Sequence, residues 1–154
     1  MAMTIREFEA LVAEKVMGWK RQAVFHDYQH FGQLIKKFLE PGEEVPRGYE
    51  LWWIPPDGLS HQTTPPAYAS TWSGLGLVVE EMENNPDDIS EWYLELGAPQ
   101  FGDGPPYPAT FYPNDATREP VTAWADTRPM AVALAALRAV GAEIPEGEVQ
   151  DVAD

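Results

Sequence analysis

Two histidines in the segment HDYQH have a spacing that suits metal ligands. His26 and His30 lie four residues apart, so on a helix both imidazole rings would share one face and could ligate zinc. His61 is the obvious third ligand. The segment lacks the glutamate that follows the first histidine in zinc hydrolases. A metal site at His26 and His30 is therefore one hypothesis, and a polar surface turn is the other.

A second candidate site lies in the stretch YASTWSG, at the start of a predicted helix. Ser70 and Thr71 offer hydroxyl groups, and Trp72 offers an exposed ring. A helix N-terminus with hydroxyls and an aromatic ring suits an anionic ligand that carries a base, such as a nucleotide-derived signal molecule. Trp52 and Trp53 are neighbours on a predicted strand and so point to opposite faces. Either both are buried between layers, or one lines a pocket on an open face of the sheet. The candidate ligand or partner contacts are Trp72, Ser70, Thr71, Trp53, Tyr28, His26, His30 and Lys36.

The motifs of common enzymes are missing from the sequence. There is no nucleophile elbow, no phosphate-binding glycine loop and no kinase signature. The glycines of GLGLVV lack the spacing of a dinucleotide site. The 25 acidic residues are too many for a catalytic carboxylate pair to be distinguished from solvated charge. The sequence thus favours a binding protein over an enzyme, and we expect no cofactor.

Charge is unevenly distributed along the chain. The net charge is −15; residues 1–40 hold six basic and five acidic residues, whereas residues 41–154 hold four arginines and twenty acidic residues. The acidic part would repel nucleic acid, so direct nucleic-acid binding is not expected. It would attract a protein with a basic surface, or serve only as a solvated face.

Composition points to one cytoplasmic domain. The length of 154 residues suits a single domain, cysteine is absent, and no long apolar run or signal peptide is visible. We therefore expect a protein of the cytoplasm that does not associate with membranes.

The apolar pattern predicts an α+β domain over residues 1–141. Helices are predicted over 4–20, with a Thr4–Glu7 capping box, over 29–42, over 68–88, and from a cap at Asp126 or Thr127 to Gly141. Short strands are predicted within 48–58, 90–99, 107–115 and 119–127, the last three as an antiparallel meander. We expect helix/sheet/helix layers around one mostly antiparallel sheet of about four strands. Residues 142–154 are predicted to form an acidic, flexible tail.

Three stretches together resemble one family. REFEALVAEKVMGW, PAYASTWSGLGLVVEEM and AWADTRPMAVALAALRAVG are similar to the opening helix, middle helix and final strand-to-helix step of the phage ABA sandwich domain. The resemblance implies a helix/sheet/helix fold and a phage or prophage gene, but no activity. Trp72 stands where the family commonly has an acidic residue, and residues 74–77 lack the tryptophan that it commonly has there. Residues 20–47 look like an insertion with a short helix.

These observations together predict a phage-encoded, non-enzymatic binding protein. We expect an accessory or anti-defence inhibitor that docks an acidic surface on a basic host or phage protein, in the cytoplasm of the host cell. The alternatives are a pocket that sequesters a nucleotide-derived signal and a structural component of virion assembly. A homo-oligomer is possible in each case.

The final helix yields a stability prediction. Between Pro129 and Ala142 its only charged residue is Arg138, so the helix should be buried on several sides. Leu134→Asp should unfold the protein because an unpaired carboxylate in a core is costly, and circular dichroism would detect this. A folded variant that only lost a partner would place this helix on the surface instead.

Overall fold

The structure is a computed structural model that describes residues 3–40, 42–84, 92–114, 118–142 and 149–150. Its helices are α1 (Ile5–Lys15), α2 (Trp72–Asn84) and α3 (Arg128–Ala139). Its strands are β1 (Met3–Thr4), β2 (Lys20–Asp27), β3 (Gln33–Leu39), β4 (Glu50–Ile54), β5 (Trp92–Leu96), β6 (Tyr107–Pro113), β7 (Val121–Ala125) and β8 (Val149–Gln150). A single 3₁₀ turn, Tyr28–His30, connects β2 to β3.

Helices α1 and α3 begin at threonine caps: Thr4 as predicted, and Thr127 of the two candidates Asp126 and Thr127. Thr4 Oγ1 accepts the backbone N–H of Glu7 at 3.1 Å, and Thr127 Oγ1 accepts that of Met130 at 3.3 Å. Each bond satisfies one of the amides that has no partner within the helix. Pro129 lies in the first turn of α3, where its missing N–H costs nothing.

The helix predicted over 29–42 is wrong, and with it the short helix expected within 20–47. Strand β3 occupies most of this segment and pairs antiparallel with β2, from Arg21↔Leu39 to Asp27↔Gln33. Phe31 and Gly32 have left-handed backbone conformations, with φ of 61° and 72°, and they reverse the chain between β2 and β3. The apolar residues of this short segment follow a helical period, yet in the structure they lie on both faces of a strand. Its secondary structure is therefore decided by pairing with β2, which the segment itself does not encode.

The described strands form two three-stranded antiparallel sheets, ordered β3-β2-β4 and β5-β6-β7, where one sheet of about four strands was expected. The predicted meander is confirmed as the second sheet, and the chain is α+β. A short parallel pair joins β1 to β8, so Val149 and Gln150 of the predicted tail pair with the start of the chain. Residues 143–148 and 151–154, the rest of that tail, lie outside the described residues.

The core is formed by residues of the three helices and the second sheet together with Trp53 of the first sheet. Helix α3 packs on α1, α2, β6 and β7, so it is covered on several sides as its sequence predicted. Four of its alanines are fully buried, as is Leu137, whereas Leu134 is only partly buried at the edge of the core. Among the described helices, none has both the length and the apolar character needed to cross a membrane.

Two glycines of α2 differ in their surroundings, and this gives a matched pair of variants. A Cβ on Gly74 would collide with the carbonyl oxygen of Ala67 and lie 2.8 Å from Tyr68 Cα, whereas a Cβ on Gly76 would meet no atom within 4 Å. Gly74→Ala should therefore destabilise the protein by about 2–4 kcal/mol, because backbone would have to move. Gly76→Ala should stabilise it by up to about 1 kcal/mol, because alanine favours helix. Urea unfolding measures both, and equal effects would contradict the close approach at Gly74.

Candidate binding site

The sheet β3-β2-β4 has one buried face and one open face. On the buried face, Ala23 and Trp53 enter the protein interior, and Arg21 Nε pairs with Glu14 Oε1 of α1 at 2.7 Å. Burial raises the pKa of the Glu14 carboxyl, and the Arg21 guanidinium acts in the opposite direction. Side chains alternate along a strand, so the residues between these point the other way. This second face, called the open face, carries Lys20, Gln22, Val24, His26, Leu34, Lys36, Phe38, Glu50, Trp52 and Ile54. Gln22 and Val24 of its central strand are themselves buried.

Trp52 is at the centre of the contacts on the open face. The His61 ring stacks on it at 3.7 Å between centroids and 5° between planes, and Lys36 Nζ lies 5.1 Å from the Trp52 centroid. Trp52 Nε1 donates to Glu50 Oε2 at 3.3 Å. That hydrogen bond first, and His26 second, hold the pKa of the Glu50 carboxyl below its usual range. An indole, an imidazole and an ammonium group therefore meet beside an ionised carboxylate.

A pocket of about 270 Å³ opens beside Trp52. Its floor and sides are formed by the open-face residues Gln22, Lys36, Phe38, Trp52 and Ile54 and by the loop 58–61. The loop is fixed to the sheet because Trp53 and Gln62 exchange two backbone hydrogen bonds of 2.8 Å. The pocket combines apolar rings with a few polar groups, which is the usual composition of small-ligand sites.

The hairpin of β2 and β3 exposes an apolar surface. Six of the seven residues of β3 are exposed, although Leu34, Ile35 and Phe38 are apolar. At the turn, Tyr28 is largely exposed and Phe31 fully so. Within the described residues, β3 pairs only with β2. Its second edge thus presents unpaired backbone groups next to exposed apolar side chains.

The structure separates the two histidines of the predicted metal site. His26 lies on β2, with Nε2 3.4 Å from Glu50 Oε2, whereas His30 lies in the 3₁₀ turn, with Nδ1 2.6 Å from Asp27 Oδ2. Tyr28 stacks on His26 at 5.9 Å. Over the ranges that the structure describes, no group of three or more His, Asp or Glu residues could hold a metal ion. The expected shared face is absent because the segment is not a helix.

The hydroxyls at the start of α2 already have partners within the chain. Glu9 of α1, which is buried, accepts the Ala69 N–H at 2.9 Å and the Ser70 hydroxyl at 2.8 Å. Thr71 Oγ1 accepts the Gly74 N–H at 2.9 Å and donates to the Ala67 carbonyl at 3.1 Å. The chain's own carboxylate therefore binds where an anionic ligand was expected. Trp72 is exposed, at 64%, as predicted.

Of the two adjacent tryptophans, the structure places Trp52 in the pocket and not Trp53, which the sequence had suggested. Trp53 was the candidate contact, but it is 5% exposed and lies in the core, whereas Trp52 lines the pocket. Lys36 was predicted and lies there as well. Sequence reasoning missed Gln22, Phe38 and the role of His61. The turn residues between two pairable segments, Asp27 to Gly32, were the signal that could have revealed the hairpin and so aligned these side chains.

Comparison of the chain with models of protein families, with curated proteins and with solved structures gives no match. Membership of the phage ABA sandwich family therefore stays a prediction that rests on the three stretches quoted above.

The buried Glu9 carboxylate gives a prediction for the contact between α1 and the segment before α2. Glu9→Gln should lower the free energy of unfolding by about 1–3 kcal/mol, because a charge-assisted acceptor of two hydrogen bonds is lost in a buried place. Glu7→Gln is the matched control, since Glu7 is exposed on the same helix. Chemical denaturation measures the difference, and equal stabilities of the two variants would contradict a structural role for Glu9.

Proposed function

We propose that this protein acts by binding another protein, without catalysis, as a phage accessory protein that inhibits a bacterial defence component. The proposal of binding rests on the exposed outer edge of β3, which has no strand partner among the described residues. The phage origin rests on the family resemblance alone, and the helix/sheet/helix layering that the resemblance implies belongs to the same proposal.

Strand β3 has the properties of a docking edge. Natural proteins usually shorten, cover or charge an exposed edge strand, because it can pair with other chains; Lys36 and Lys37 charge the middle of β3, which selects against partners of the same charge. Here the edge carries Leu34 and Phe38 on the open face and Ile35 on the other, all exposed. A partner strand added to this edge would gain backbone hydrogen bonds and cover apolar groups on both faces.

The charge of the hairpin indicates the chemistry of that partner strand. Lys36 and Lys37 project from opposite faces of β3, and Lys20 lies on β2 beside it. Lys37 Nζ is paired with Glu43 Oε2 at 3.0 Å, so Lys20 and Lys36 contribute most of the positive charge that a partner would meet. Pairing of β3 with a second copy of itself would bring these lysines together, which like-charge repulsion disfavours. The occupant that fits is an extended acidic segment with apolar residues in alternation.

A second candidate is the acidic surface that the sequence singled out. Residues 41–154 carry an excess of sixteen negative charges, which would steer a basic protein surface towards the chain. Docking through the acidic surface does not involve the β2–β3 hairpin. The two candidates also differ in the charge of the partner, which is basic for the acidic surface and acidic for the β3 edge.

Two peptides of opposite charge test the proposal. An alternating valine–glutamate peptide should bind to the full chain, and its binding should protect the β3 amides from hydrogen exchange, because a new strand would pair with them. An alternating valine–lysine peptide should not bind there. Calorimetry and exchange measure both. Binding of the lysine peptide alone would favour the acidic surface, and binding of neither would refute docking at β3.

A matched pair of variants locates the contact. Ile35 and Leu77 are similarly exposed, at 45% and 43%, on β3 and α2 respectively. Ile35→Gln should weaken glutamate-peptide binding about tenfold, in the range of interface residues that contribute strongly, and Leu77→Gln should leave it unchanged. Equal losses in the two variants would place the peptide elsewhere.

A further inference from the structure

One residue that lines the pocket on the open face is a largely buried glutamine with an accessible side-chain amide. Gln22 is 8% exposed and lines the pocket. Its side-chain amide makes no hydrogen bond to any residue in the part of the chain that the structure describes, and its polar atoms are not among the buried unpartnered ones, so solvent reaches them. The amide has both a donor and an acceptor to offer a ligand. The pocket is the place from which partners can reach it.

Two aromatic rings flank this amide. The strand register pairs Gln22 with Phe38 on one side and with Trp52 on the other. Adjacent strands lie about 4.8 Å apart, so these two side chains originate roughly 10 Å from each other across Gln22. A planar ring can enter between them with its edge on the amide and its face on an aromatic ring. His61, stacked on Trp52, holds the indole in its orientation.

The charges around the pocket favour an anion. Lys36 Nζ lies 5.1 Å from the Trp52 centroid, and Lys20 Nζ lies 5.8 Å from the Phe38 centroid. Two carboxylates are nearby: Glu50 is bound by Trp52 Nε1 and His26 Nε2, and Asp57 accepts the Leu59 N–H of the pocket loop at 2.9 Å. Because both carboxylates already have partners within the chain, the two ammonium groups remain to bind an anion, although the chain as a whole is strongly acidic.

We propose that this pocket binds a nucleotide. The edge of the base pairs with the Gln22 amide, its face stacks on Phe38 or Trp52, and its phosphate lies towards Lys20 and Lys36. Glutamine complements the adjacent donor and acceptor of adenine, and stacking on aromatic side chains accepts any base. A volume of about 270 Å³ is at the lower end for small-ligand sites, which favours a mononucleotide over a strand. This inference does not depend on the proposed protein partner.

Calorimetry on the full chain tests the proposal with AMP, GMP, CMP, UMP, adenosine and inorganic phosphate as probes. AMP should bind at least tenfold more tightly than adenosine or phosphate, because only AMP engages both the amide and the lysines. Gln22→Met, which keeps the length of the side chain and removes the amide, should weaken AMP binding at least tenfold. Absence of binding by all four nucleotides at millimolar concentration would overturn the proposal.

Two adjacent lysines provide a matched control that does not disturb the core. Lys36→Gln and Lys37→Gln remove the same charge from neighbouring exposed positions on opposite faces of β3. Lys36→Gln should weaken AMP binding severalfold, and Lys37→Gln should not. Equal effects would place the anion outside the pocket and overturn the proposal. If Gln22→Met did not fold, this pair would still decide the question. Ile35→Gln should leave AMP binding intact, so the peptide site and the nucleotide site can fail separately.

Discussion

The structure of the candidate site depends on the pairing of β2 with strands on both of its sides. This double ladder fixes the register that brings Gln22, Phe38 and Trp52 into one row. It also determines which side chains lie on each face of the sheet, one of which contacts α1 while the other forms the pocket. Arg21 reaches from one face to Glu14 and joins the sheet to α1, while the neighbouring residue Gln22 lines the pocket on the other. A shift of one residue in either pairing would exchange the two faces, so the core and the site are specified by the same register.

Glu9 shows how an internal contact can occupy a place that resembles a binding site. Unpaired amides and hydroxyls before a helix attract anions, and the sequence offers Ser70 and Thr71 at such a position. In the folded chain, the anion is a carboxylate from α1, and both hydroxyls have protein partners. Because this carboxylate is buried, the arrangement ties α1 to α2 and leaves no free donor there among the groups that were predicted.

The sequence predicted the helices and the β5-β6-β7 meander from local signals, and it failed at β2 and β3, where the pairing of the two segments overrides a helical pattern. Threonine caps, proline in the first turn and apolar stripes located α1, α2 and α3, since each signal acts within a few residues of the helix it marks. The segment that became β3 carries an apolar spacing compatible with helix, and only the ladder with β2 makes it a strand. The wrong secondary structure of this segment also left the residues of the candidate pocket unrecognised. Lys36 was identified by its charge alone, whereas Gln22 has no local feature that distinguishes it, and the choice between Trp52 and Trp53 required knowledge of which face is covered.

The strong negative charge of the chain does not oppose an anion at the open face, because electrostatic effects in water are local. The Debye length is about 8 Å at physiological ionic strength, so acidic side chains farther than this from the pocket contribute little to its potential. Lys20 and Lys36 lie within 6 Å of the rings that would hold a ligand. Glu50 is close as well, but Trp52 and His26 direct their N–H and imidazole groups to it, which offsets part of its field. Net charge therefore governs long-range encounter with other proteins, while the chemistry of the pocket follows from the few charged groups at its rim.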